Sequence, residues 1–363
     1  MKRPFALIGI TYLSVQAALF YLESDLAAAI LTAVCFIGTI VSLFILKNRN
    51  LRHTVLCFCL TAAFASTIFS GYNIFVKQPI VDKYSEREIY VTATVFEQPT
   101  VQYDTYRYLI ETDSINGKIE KLKICLSTIN ELNVEEFDRI SCVLPLKECT
   151  KSQMIADGAF LQASVNKNFA YIVKNTDDKP LYYQALKIRE NFADSFEQNM
   201  SQDCASLCRA VLLGEKTALS QEIQNDFTRC GVSFLIVVSG MHLAIISSFV
   251  FLCIKKIIKN RVLRSMIMLI CAFSFMAVTG FAPSVVRAGV MLAVVYSGKM
   301  FMRKGDSLNS LGIAALILTV PNPTAVADVG MLLSFTATLG IILWARKITV
   351  YIMGKFAKLK RLK

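Results

Sequence analysis

The sequence predicts a polytopic α-helical membrane protein of about eight spans, with a small extracytoplasmic β-barrel of OB-like type inserted after the third. Three observations carry this. The 363 residues are 54% hydrophobic and only 18% charged, with a mean hydropathy of +0.49, whereas soluble domains carry about 25% charged residues. Charge-free runs recur along the chain, and the basic residues collect in every second loop between them. From 77 to 203 the composition reverses, with 15 Lys and Arg against 20 Asp and Glu, while the rest of the chain holds 24 against 7. A collagenous, disordered or small disulfide-framework protein is excluded.

The charge-free runs are Pro4 to Leu22, Leu26 to Leu46, Thr54 to Val76, Cys230 to Ile254 and Ser265 to Val286. Each is long enough to cross about 30 Å of hydrocarbon at about 1.5 Å per residue. Two weaker spans follow at 285 to 302 and 307 to 320, the second short enough for a re-entrant segment as the alternative, and a final run at 329 to 345 completes eight. Lys2 and Arg3, the cluster Lys47 to Arg52, the cluster Lys255 to Arg264, Arg303 and Lys304, and the tail from Arg346 lie in alternate loops. The short intervening loops, at 23 to 25, 281 to 284 and 321 to 328, carry no basic residue, so both termini are placed in the cytoplasm. The first run reads as an uncleaved helix, because it exceeds a signal-peptide core and a second span follows at once. The expected organisation is three helices in 1 to 76, a β domain in 77 to 180, amphipathic interfacial helices in 181 to 231, a transmembrane core in 232 to 345 and a basic cytoplasmic tail in 346 to 363.

Within the β domain, five strands are expected. Ile89 to Val95 and Tyr106 to Ile110 alternate, Asn116-Gly117 is a hairpin turn, and Leu122 to Leu126, Ile140 to Leu144 and Phe160 to Val173 follow. Tyr103, Tyr106, Tyr108, Phe169 and Tyr171 read as core or rim packing, with base stacking the alternative. The domain's acidic balance favours packing. Cys125, Cys142 and Cys149 are disulfide candidates on an oxidising side, with the pairing open. Cys204 and Cys208 share a helix face, and with His53 and His242 as the chain's histidines no histidine-rich metal centre is expected. Ser220 is expected to cap a helix that Gly231 closes.

Three blocks stand out together: Gly231 to His242 (GVSFLIVVSGMH), Thr279 to Ala288 (TGFAPSVVRA), and Gly305 to Ser310 continuing through Asn322-Pro323 to Asp328 to Phe335. With the leading Leu213-Gly-Glu-Lys216, this pattern resembles the ComEC/Rec2 competence family across 205 to 345. The resemblance implies a channel component for uptake of single-stranded DNA in natural transformation, set in the cell membrane. It further implies a separate nuclease, a DNA receptor and a cytoplasmic ATPase or translocase as partners. The chain shows no phosphate-binding loop and no metal cluster for phosphodiester hydrolysis, so no enzymatic activity, cofactor or metal is expected of it. Phe234 stands where members usually have His, and Met331-Leu332 where Phe-Gln is common. These losses of polarity, and the family's nuclease-like domain missing after Lys363, motivate the alternative of a truncated, non-conducting interaction module. A small-solute transporter shares the same physical features.

The candidate substrate-path residues are Ser239, Gly240, His242, Pro283, Ser284, Arg287, Asp306, Asn309, Asp328 and Ser334. Polar groups at membrane depth are costly unless they face protein or water. Counting from a span start near Val232 places His242 about 15 Å deep. Ser239-Gly240 permits close helix approach or unwinding. Arg287 and Asp328 either pair or leave the guanidinium free to meet phosphates. Asp306 and Asn309 read as a helix cap or as exit-lining groups, and capping is favoured.

Overall fold

The computed structural model describes residues 3–22, 25–45, 48–96, 99–102, 105–165, 169–174, 181–215, 219–302 and 305–360. The chain forms two compact units, Gly71–Gly289 and Met1–Ser70 with Val290–Lys363.

In the second of these, α1 (Pro4–Leu22), α2 (Asp25–Ile45) and α3 (Arg49–Tyr72) are apolar helices. They are joined by α12 (Ser307–Thr319), a 3-10 turn at Pro323–Ala327 and α13 (Val329–Lys360). α1 and α12 cross with their backbones touching. A Cβ on Gly9 would fall 2.1 Å from the Gly312 carbonyl oxygen, and one on Gly312 would fall 2.1 Å from that of Phe5. Beyond the crossing, Leu13, Leu311, Ala314, Met331 and Phe335 form an apolar cluster. α2 and α3 meet at Cys35, Cys59 and Ala62, where Thr32 Oγ1 donates to Ser66 Oγ at 2.8 Å.

The other unit begins as α3 continues through a π-helical turn, Asn73–Lys77, into α4 (Gln78–Tyr84). A closed five-stranded barrel follows. Its staves are β1 (Arg87–Val95), β3 (Thr105–Ile115), β4 (Lys123–Thr128), β5 (Arg139–Glu148) and β6 (Ala159–Val165). The order is β1-β3-β4-β6-β5, closed by β5 against β1, with β4 and β6 parallel and the other pairs antiparallel. β2 (Thr100–Gln102) extends β3, and β7 (Tyr171–Lys174) pairs with β5. Alternation decides the core: Ile89, Val91, Ile110, Ile124, Leu126 and Leu144 are fully or almost fully buried. Asn116 and Gly117 take φ of 49° and 79° in the expected hairpin turn.

One expectation is corrected. The single strand expected over Phe160 to Val173 is two: β6 lies between β4 and β5, and β7 pairs with the first half of β5. A short helix, α5 (Ser152–Ala156), links β5 to β6. Tyr103 lies outside the described residues. Tyr106, Phe169 and Tyr171 pack against the core, and Tyr108 is buried inside it, where its Oη accepts the Leu132 N–H at 2.8 Å.

After the barrel come α6 (Leu181–Asn199), α7 (Gln202–Cys208) with a π-helical turn at Arg209–Leu213, and α8 (Gln221–Arg229). Ser220 Oγ accepts the Ile223 N–H at 3.3 Å, and Gly231 closes the helix with φ of 71°, as expected. A 3-10 turn, Ser233–Ile236, leads to α9 (Gly240–Ile257), α10 (Arg261–Val278) and α11 (Pro283–Met300). Among the described residues, five helices are long and apolar enough to cross a membrane: Pro4–Leu22, Arg49–Tyr84, Gly240–Ile257, Arg261–Val278 and Val329–Met353. α11 carries Arg287 and Lys299, and α12 is short, as read from the sequence. The residues expected as a basic tail after Ala345 continue α13 as helix to Lys360.

Candidate functional site

The first two motif blocks converge within the Gly71–Gly289 unit. α9 does not start at Val232. The chain runs through the 3-10 turn and an extended Val237 to Ser239 before the helix begins at Gly240. His242 therefore lies in the first turn, about 3 Å along the helix axis from its start. The helix start expected near Val232 is corrected accordingly. The Ser239 N–H donates to His242 Nδ1 at 3.1 Å, and Ser239 Oγ lies 3.1 Å from the same nitrogen. Because Nδ1 accepts, the neutral ring carries its proton on Nε2. This is a reciprocal cap in which a histidine takes the position usually held by Glu or Gln.

Gly240 is the contact point with α11. A Cβ there would meet the Ala288 Cβ at 2.7 Å, so any side chain would push the helices apart. Four residues earlier on α11, Ser284 Oγ donates to the Val238 carbonyl oxygen at 2.7 Å. That bond satisfies a carbonyl exposed by the unwinding ahead of α9. Pro283 opens α11, where its missing N–H costs nothing. Half-buried Arg287 lies one turn further on. The leading block joins the same place: Gly214, with φ of 85°, abuts Val238 and the Thr279 carbonyl.

The other candidates lie in the other unit and take structural roles there. Asp306 caps α12, accepting the Leu308 and Asn309 N–H groups at 3.1 Å, and Arg3 Nε donates to it at 2.7 Å. The guanidinium of Arg3 and the cap hold its carboxyl below the usual range. Asn309 Oδ1 accepts the Ala6 N–H at 3.1 Å, tying α12 to the start of α1. Asp328 Oδ1 accepts the Gly330 N–H at 2.8 Å at the start of α13. Ser334 lies within α13, half-buried, its carbonyl accepting from Thr338 Oγ1 at 2.8 Å.

A cavity of about 190 Å³ lies between the barrel and α6, with Glu131, Glu135, Glu136, Glu190 and Glu215 in its wall. Burial pushes the Glu136 carboxyl up despite the opposing Arg189 guanidinium, which donates to it at 2.7 Å. Burial lowers the Arg209 guanidinium, but Glu215 and Glu197 outweigh it and hold the group above its ordinary range.

Of the three disulfide candidates, Cys125 and Cys149 share a buried cluster with Leu109, Met154 and Ala159. Cys142 faces the barrel interior, where burial pushes its thiol up to about 12. Of the pairings left open, Cys125 with Cys142 would not join neighbouring strands. β6 separates β4 from β5, and the two side chains point to opposite faces.

Sequence reasoning missed Val238, Ala288, Gly214 and Arg189. The small residues were a weak signal, and Arg189 carried none, since a buried arginine looks like any other on an amphipathic helix.

A family model described as "Competence protein" matches residues 211–363, which contain the motif blocks. ComE operon protein 3 of Bacillus subtilis (strain 168) is 20% identical over 325 residues, covering 87% of this chain. Both matches support the resemblance to a ComEC/Rec2-type competence family that the motif blocks carry, and the chain is the shorter of the two proteins. It spans 41% of the length of that curated relative. No solved structure matches it. Because the family match begins at 211, the barrel lies outside it, whereas both converging blocks lie within it.

Proposed function

We propose that this chain is a multi-pass cell-membrane component of the channel that takes up single-stranded DNA in natural transformation, without enzymatic activity of its own. The observation that carries this is the convergence of Val238 to His242 with Ser284 to Ala288 inside the matched region. It gives an interrupted helix entrance, with polar groups gathered where regular backbone stops. Such irregular backbone is tolerated at membrane depth where it is buried in protein or lines a wet passage. On this reading there are eight spans, both termini are cytoplasmic, and the barrel faces the exterior. The barrel is of the OB type, which its strand order and the parallel β4–β6 pair support. A nuclease, a receptor and an ATPase or translocase are separate chains.

Transformation in a strain deleted for this chain, complemented by the chain alone or with its genomic neighbours, tests the proposal. Loss of labelled single-strand entry with surface binding intact supports it. Normal entry in the deletion strain sinks it. Reversing the charges of Arg287 and Asp328 singly and together then resolves their roles: recovery in the double variant means pairing, and continued failure means phosphate contact. The rival reading, a non-conducting membrane-anchored module, is favoured by one observation. Met331 is buried in an apolar cluster where the family resemblance leads one to expect greater polarity. Restored uptake by this chain alone eliminates that rival.

A further inference from the structure

α6 touches two segments that the sequence gives no reason to associate. On its barrel side, Arg189 Nη2 donates to Glu136 Oε1 at 2.7 Å, and the two side chains are 8% and 12% exposed. Glu136 belongs to the segment between β4 and β5, whose next residue, Phe137, holds φ of 68°. On the same face, Arg189 and Tyr182 lie against Gly280, where φ is 67°. A Cβ there would meet Arg189 Nη1 at 3.1 Å and Tyr182 Oη at 3.7 Å. Residues 182 and 189 are seven apart, so they share one helix face.

Aromatic rings repeat the connection. Phe96 packs on Phe137 at 5.8 Å, Phe137 on Tyr182 at 5.9 Å, Tyr182 on Phe281 at 5.2 Å, and Phe281 on Phe273 of α10 at 5.9 Å. Phe137 and Phe281 both hold left-handed backbone, at φ of 68° and 51°. Non-glycine residues keep that conformation where their surroundings over-determine it. Each places its ring in the same ladder. The turn so held, Thr279 to Ala282, is the one from which α11 departs with Ser284 and Ala288.

We propose that Arg189 is a positioning residue for DNA uptake: it pins the β4–β5 segment of the barrel and the α10–α11 turn to one face of α6. The barrel is thereby held in fixed register with the Gly240–Ala288 crossing. The inference rests on the uptake reading above, because positioning has a purpose only if a strand passes from one to the other.

Hydrogen exchange on the full chain in lipid nanodiscs tests the joint, comparing wild type with Arg189→Leu. Exchange is expected to rise tenfold or more in both 132–138 and 279–282, while β1 and β4 keep their protection; general destabilisation would release the strands as well. In cells, single-strand entry is expected to fall tenfold or more at unchanged membrane level and surface DNA binding. Unchanged protection at 279–282 overturns the joint, and loosened segments with normal entry overturn the positioning role. Should Arg189→Leu not accumulate, Arg189→Lys is read in the same way, since its single ammonium keeps the charge without reaching both contacts. Normal transformation in the deletion strain overturns the uptake reading and the positioning role with it, while the exchange result still decides the joint.

Discussion

The barrel and the α1 to α3 helices solve the same packing problem with opposite residues. In the barrel the large apolar side chains point inward, and Ile110, Ile124, Ile140 and Leu144 are fully buried. Among the helices, Phe36, Ile37 and Phe64 point outward at 64%, 59% and 56% exposure, while Gln16, Ser42 and Ser66 are buried. Small and polar residues make their contacts: the glycine crossing of α1 with α12, the Thr32 to Ser66 bond, and Gln16 Nε2 donating to Tyr12 Oη at 3.0 Å. The difference teaches which solvent each region was built for. Water drives large side chains together, whereas lipid gives helices no such incentive and leaves close backbone approach and polar contacts to hold them.

The contrast can be broken most severely at Gly312. Gly312→Leu is expected to cost more than about 4 kcal/mol, or to prevent accumulation, because its Cβ would enter the Phe5 backbone. Thermal unfolding in detergent checks this against Gly298→Ala, which meets nothing within 4 Å and is expected to change stability by less than about 1 kcal/mol.

A matched pair of leucines sharpens the comparison. Leu126→Ala in the barrel core should cost about 2 to 5 kcal/mol, while Leu252→Ala on α9, where the side chain is 64% exposed, should stay within about 0.5 kcal/mol. Equal effects would mean that the two regions are not packed for different solvents. If the barrel meets an oxidising exterior, peptide mapping without reductant should recover Cys125 joined to Cys149, with Cys142 unpaired. Reducing that bond should cost about 3 kcal/mol. Recovery of Cys142 in a crosslink would contradict the strand order.

The smallest effect concerns pH. Hydrogen bonds from Lys83 and from the Tyr84 hydroxyl hold the Glu120 carboxyl below its ordinary value of 4.5. Its contribution is present above that value and fades as pH falls through the lower folded value. Glu120→Gln should therefore slightly destabilise the barrel at neutral pH and make no difference in acid, as read by unfolding at a series of pH values.

Much of this was legible in the chain. Period-two alternation gave β1, β3, β4 and β5, the Asn116-Gly117 pair gave the turn between β3 and β4, and Ser220 and Asp306 gave helix starts. Each signal is local, since a few neighbouring side chains decide it. The start of α9 was misjudged because Val232 to Ser239 is as apolar as the helix that follows, and hydropathy does not distinguish helix from an unwound segment.

By itself, the sequence determined that this protein has apolar helices, a β domain between them and motif blocks that resemble the competence family, because composition and periodicity act residue by residue. Only the tertiary structure decided that His242 caps a helix rather than sitting deep within one, that Cys125 neighbours Cys149, and that Arg189 joins Glu136 to Gly280. Those facts depend on which distant segments approach within a few ångströms, and no local preference encodes that distance.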